Sequence, residues 1–123
     1  MDIPAFSLPD DSTCETTASG LKYEVVQAGT GKTPGARDRV TVHYAGWLTD
    51  GTPFDSSYSR GQTIAFPLDG VIPGWTEGVQ LMNEGATFRF LIPPELAYGA
   101  SGAPPVIGPN APLVFQVELV SVG

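Results

Sequence analysis

The chain has 123 residues and a mass of 12.9 kDa, the size of one domain with its own core. Hydrophobic residues make up 41% and charged ones 15%, which excludes a disordered chain, and a net charge of −7 argues against nucleic acid or an anionic membrane as partner. A single cysteine, Cys14, and a single histidine, His43, exclude an internal disulfide, a zinc finger and a His-rich metal site.

Residues 1–18 carry Pro4, Pro9, four acidic residues and a Ser/Thr cluster with no sustained periodicity. They read as a flexible acidic N-terminal arm, and residues 19–123 as the domain. Nothing approaches the ~18 consecutive apolar residues of a membrane span. Met1-Asp2-Ile3-Pro4 lacks the basic start of a signal peptide. The expected compartment is therefore the cytoplasm, or the periplasm or exterior if a leader has been removed.

The first predicted strand is Leu21–Gln27, with Leu21, Tyr23 and Val25 on one face. Gly29-Thr30-Gly31 and Pro34-Gly35 mark turns. Arg39–Leu48 is the next strand, with Val40, Val42 and Tyr44 alternating on one face. Asp50-Gly51 reads as a tight hairpin turn, followed by a short strand at Pro53-Phe54-Asp55. Ile64–Leu68 is another short extended piece, which Pro67 confines to an edge. One helix is predicted over Gly74–Met82, with Trp75, Gly78, Val79 and Met82 on one face. Pro73 favours its start and Gly85 its end. Thr87–Ile92 and Leu113–Val122 complete the strands. Between them the twenty residues Pro93–Pro112 form a proline- and glycine-rich loop, long enough to point to function. The sum is an α+β fold, a curved antiparallel sheet of about five strands around one short helix.

Nucleophilic and acid–base chemistry find little support. His43 sits mid-strand with no nucleophile elbow nearby and reads as a satisfied structural histidine. Gly29-Thr30-Gly31-Lys32-Thr33 superficially resembles a phosphate loop, but Val26 stands where the pattern needs glycine and Pro34-Gly35 stands where a helix should begin. Asp10-Asp11 reads as a solvated pair. The remaining signal is aromatic: Tyr44, Phe54, Phe66, Trp75, Tyr98 and Phe115 either belong to an ordinary core or converge on one open apolar pocket. Asp55 follows Phe54 and is either a surface carboxylate or a polar group at that pocket.

Five motifs in order carry a resemblance. They are Val42-His43-Tyr44-Ala45-Gly46, the run Asp50 to Ser57 (DGTPFDSS), the run Val71 to Gly78 (VIPGWTEG), the run Ile92 to Gly99 (IPPELAYG) and the closing Leu113-Val114-Phe115-Gln116-Val117-Glu118-Leu119. Across residues 19–123 the chain resembles the FKBP-type peptidyl-prolyl cis-trans isomerases, the immunophilins, and their small single-domain bacterial members in particular. The resemblance implies rotamase activity on Xaa-Pro segments of client polypeptides, assisting folding, with no cofactor and no metal. It implies a half-wrapped sheet with the helix across its concave face and a proline pocket between them. Trp75 would form the floor. Tyr44, Phe54, Phe66, Val71, Ile72 and Phe115 would form the walls, with Ile64, Val106 and Ile107 as further apolar contacts. The Tyr98 hydroxyl and the Ile72 backbone N–H would donate to substrate carbonyls, and Asp55, held by Tyr44, would accept at the edge. Ile64 stands where many members carry an aromatic residue, and Ala103 where many carry a histidine. Macrolides such as rapamycin become expected inhibitors, and a monomer the expected state. The alternative is a prolyl-peptide binding module or weak folding chaperone without catalysis.

Overall fold

The structure, a computed structural model, describes residues 6–8, 14–102 and 107–122. Among these, seven strands form one antiparallel sheet: β1 (Glu15–Thr16), β2 (Lys22–Gln27), β3 (Arg39–Leu48), β4 (Pro53–Ser56), β5 (Ile64–Pro67), β6 (Thr87–Ile92) and β7 (Leu113–Val122). Their order is β1-β2-β6-β7-β3-β4, with β5 also paired to β3. One helix, α1 (Pro73–Val79), packs on the sheet.

The α+β architecture expected from the alternation is present, with more strands than the five anticipated. One extra is the two-residue β1, which pairs with β2 through Glu15↔Tyr23 and Thr16↔Lys22, inside the segment read as an arm. The two short strands expected from the sequence both form, in succession along β3: β5 along Arg39–Val42 and β4 along Ala45–Trp47. The predicted bounds of β3, β6 and β7 coincide with the observed ones.

β3 is central and buried on both faces. Its inward residues Val40, Val42 and Tyr44 join Phe88, Phe90, Ile92, Phe115, Val117 and Leu119 in the main core. Its outward Ala45 and Trp47 join Tyr58 and Val114 in a smaller cluster on the other face, with Phe6 packed edge-on against Trp47 at 5.8 Å. The Asp50-Gly51 hairpin forms as expected. Gly51 adopts φ +92°, its N–H bonds the Leu48 carbonyl at 3.0 Å, and Thr52 N–H bonds the Asp50 carboxylate at 2.9 Å.

α1 starts where Pro73 predicts, with Ile72 extended ahead of it. Glycine brings it close to the sheet: a Cβ at Gly74 would lie 2.5 Å from Ile92, and one at Gly78 2.7 Å from Phe90. The helix ends at Val79, three residues earlier than predicted. Leu81 and Met82 N–H groups bond the carbonyls of Gly78 and Val79, so the chain tightens into three-residue turns. Met82 stays fully buried, which is why its side chain obeyed the helical pattern.

Candidate active site

Between α1 and the concave face of the sheet lies a cavity of about 470 Å³. Tyr44, Phe54, Asp55, Phe66, Gly70, Val71, Ile72, Trp75, Tyr98 and Phe115 line it. They come from β3, β4, β5, the turn before α1, α1 itself, the long loop and β7. The aromatic residues scattered through the sequence thus converge on one place.

Trp75 is the hub. Its ring, 5% exposed, meets Tyr44 at 5.2 Å and 88°, Phe115 at 5.3 Å and 90°, and Phe66 at 5.3 Å and 58°. Phe115 in turn meets Phe54 edge-on at 5.4 Å. Edge-to-face pairs lock each ring against its neighbour, so the cavity is a rigid aromatic box rather than a collapsible gap. Gly46 makes the box feasible. A Cβ there would sit 2.7 Å from Phe54 and 2.8 Å from Phe115, so β3 must carry glycine for β4 and β7 to bring these rings together.

The edge is polar. The Asp55 carboxylate accepts a short hydrogen bond from the Tyr44 hydroxyl, one from Arg60 at 3.0 Å and one from Ser56 N–H at 2.9 Å. Arg60 also donates to the Tyr44 hydroxyl at 3.4 Å. Burial works against the charged carboxylate, but these donors and the Arg60 charge outweigh it and hold Asp55 below the ordinary carboxylate range. Burial and the neighbouring carboxylate raise Tyr44, so its hydroxyl keeps its proton and keeps donating. Tyr98 sits on the rim, 41% exposed, and its hydroxyl has no partner among the described residues. The Ile72 N–H, one residue ahead of α1, likewise makes no backbone hydrogen bond among the described residues. Two donors and one fixed carboxylate therefore surround an apolar box. That arrangement can hold a small apolar ring and the carbonyls flanking it, and offers no nucleophile.

Nine of the anticipated residues line the cavity: Tyr44, Phe54, Asp55, Phe66, Val71, Ile72, Trp75, Tyr98 and Phe115. Ile64 does not. It lies two residues before Phe66 on edge strand β5, opposite Val42 and 38% exposed, and Phe66 takes the place against Trp75. Ile107 does not either; it is 5% exposed and packs into the main core. Val106 and Ala103 lie outside the described residues. His43 is structural: Nδ1 is 2.8 Å from Ser57 Oγ, and the ring stacks on Tyr58 at 4.7 Å. Sequence reasoning missed Gly70, Gly46 and Arg60. Arg60 carries a signal in retrospect, as the only Lys or Arg between Arg39 and Arg89 and five positions after Asp55.

Comparison with known proteins gives the family. Residues 30–120 match the family of FKBP-type peptidyl-prolyl cis-trans isomerases. The peptidyl-prolyl cis-trans isomerase Mip of Coxiella burnetii is 55% identical over 108 residues, covering 88% of this chain and 47% of its own. The probable FKBP-type isomerase FkpA of Neisseria meningitidis is 57% identical over 109 residues, covering 89% of this chain and 40% of its own. Among solved structures, FkpA from Escherichia coli superimposes with a TM-score of 0.87 at 51% identity, over 91% of this chain and 52% of that one. A peptidyl-prolyl cis-trans isomerase from Pseudomonas syringae gives 0.85 at 44% identity, over 90% of this chain and 81% of that one. The chain belongs to the FKBP-type peptidyl-prolyl cis-trans isomerase family. It spans about half the length or less of these curated relatives.

Proposed function

We propose that this chain catalyses rotation about Xaa-Pro peptide bonds, and that residues 19–123 are the catalytic unit. The observation that carries the reading is the convergence of Tyr44, Asp55, Ile72, Trp75, Tyr98 and Phe115 on one cavity. The proline ring rests on Trp75, walled by Phe66 and Phe115. The hydroxyl of Tyr98 and the N–H of Ile72 donate to carbonyls beside the bond, and Asp55 accepts at the edge.

Rotation must pass through a state that loses amide resonance, against a barrier of about 18–20 kcal/mol. The planar amide is the more polar and better hydrated form. An apolar box penalises it relative to the twisted form. Donors fixed in place, and matched to the twisted geometry, add to the difference without reorganising. Every ~1.4 kcal/mol gained in this way is about tenfold in rate. No covalent intermediate is needed.

The partners this reading supports are Xaa-Pro segments of folding polypeptides, for which proline isomerisation is a slow step. A pocket-filling macrolide such as rapamycin should compete with them at micromolar concentration. The test of the assigned roles is a Tyr98→Phe, Asp55→Ala double variant that remains folded. Turnover should fall at least tenfold on a proline peptide, and unchanged turnover would refute the roles given to both residues.

A further inference from the structure

A second cleft of about 300 Å³ adjoins the prolyl cavity, across the wall formed by Phe54 and Asp55. Pro53, Ser56, Ser59 and Arg60 complete its lining. We propose that it is a side-chain subsite, in which Arg60 selects an acidic residue flanking the proline of the substrate. The proposal rests on the prolyl reading of the main cavity and adds to it a preference outside the apolar box.

The chemistry differs from that of the neighbouring cavity. Apart from Phe54 and Pro53, the cleft is walled by hydroxyls, a carboxylate and a guanidinium. The hydroxyls are already engaged. Ser56 Oγ accepts from the N–H groups of Tyr58 and Ser59, at 3.1 and 3.3 Å, and Ser59 Oγ donates to the Ser56 carbonyl at 3.0 Å. Asp55 is filled by Tyr44, Ser56 and Arg60. Arg60 is different. A guanidinium has five N–H donors, and among the described residues only two bonds are made, one from Nη1 to Asp55 and one from Nη2 to Tyr44. Its side chain is 50% exposed. Those two bonds hold the fork at the cleft it lines, and a guanidinium held in this way can offer its remaining donors to a planar anion. A peptide chain leaving the prolyl cavity past Phe54 carries the neighbouring side chain to this place.

The full chain should be assayed by exchange NMR on three peptides that differ at one flanking position, with Glu, Gln or Leu, and with that position placed first before and then after the proline. On one of the two sides the Glu peptide should exceed its Gln isostere about tenfold in kcat/KM, through KM. Arg60→Gln should erase that ratio, and Arg60→Lys should keep only part of it. Because Arg60 also contacts Asp55, both variants are expected to slow the Leu peptide as well, so the Glu-to-Gln ratio is the readout that a merely structural role would not move. Equal Glu and Gln peptides on both sides, or a preference that survives Arg60→Gln, would overturn the proposal. If no peptide is accelerated, the isomerase reading fails. The Arg60-dependent difference in peptide affinity, read from chemical shifts, would still decide the subsite.

Discussion

Among the described residues, Asp55 is the only carboxylate lining the aromatic cavity. Its half-exposed ion pair with Arg60 does little for stability, because water screens it. What the pair and the Tyr44 bond do is fix a carboxylate beside an apolar box. Asp55→Asn should therefore lower kcat/KM about tenfold while the melting temperature moves little; a large loss of stability with full turnover in the residual folded fraction would contradict this. Acid should act the same way. The folded-state pKa of Asp55 lies below the ordinary value of 3.8, so its contribution is present above 3.8 and is lost as pH falls through the lower folded value. Turnover should be flat from about pH 5 to pH 8, and a titration midpoint near neutrality would place the controlling group elsewhere. Asp55 also shows how far residue-level reasoning reaches. Its identity stood in the DGTPFDSS run, and its place at the cavity edge was one of two open readings. Tyr44 was expected as its partner, whereas Arg60, folding back over five residues to complete the set, was not.

At the scale of elements, periodicity delivered the strands and the start of the helix. Alternation in Arg39–Leu48 and Thr87–Ile92 marks real faces, and Pro73 marks a real N-terminus. The helix end was less legible, because a tight turn after Val79 keeps Met82 buried and so mimics another helical turn. The seven-residue helix is too short to hold itself and depends on contact with β6. Gly78 sets that contact. Gly78→Ala gains about 1 kcal/mol of helix propensity, but its methyl meets the Phe90 ring at 2.7 Å in a fully packed core. Overpacking of that kind costs about 1–3 kcal/mol, so the variant should melt lower than the wild type, and a higher melting temperature would show that the helix shifts freely. A second element-level device is Glu84, which accepts the N–H groups of Val122 at 2.7 Å and Lys32 at 3.2 Å. Those bonds tie the loop before β3 to the last strand and hold its carboxyl below 4.5. The tie is intact above 4.5 and is lost as pH falls through the lower folded value, so Glu84→Gln should reduce the melting temperature at neutral pH and the gap to wild type should close in acid.

For the whole molecule, what escaped the sequence is how distant segments meet. β3 carries β5 and β4 one after the other along one edge, and β7 lies along the other. That pairing gathers Phe54, Phe66 and Phe115 around Trp75, although Phe54 and Phe115 stand 61 positions apart in sequence. Of Ile64 and Phe66, both expected at the pocket, only Phe66 lines it. The packing of Phe6 on Trp47, inside a segment that reads as a loose arm, was likewise hidden from the sequence. Among the described residues, no helix is long and apolar enough to cross a membrane. If this arrangement turns over Xaa-Pro bonds, it must do so on a minimal substrate. Exchange NMR on a short Leu-Pro peptide, with catalytic amounts of the chain and with and without a pocket-filling macrolide, tests it most directly. Accelerated cis–trans exchange that the macrolide abolishes is the predicted result. Peptide resonances that shift or broaden on binding while the exchange rate stays at its uncatalysed value would contradict it, and would leave a prolyl-binding module in its place.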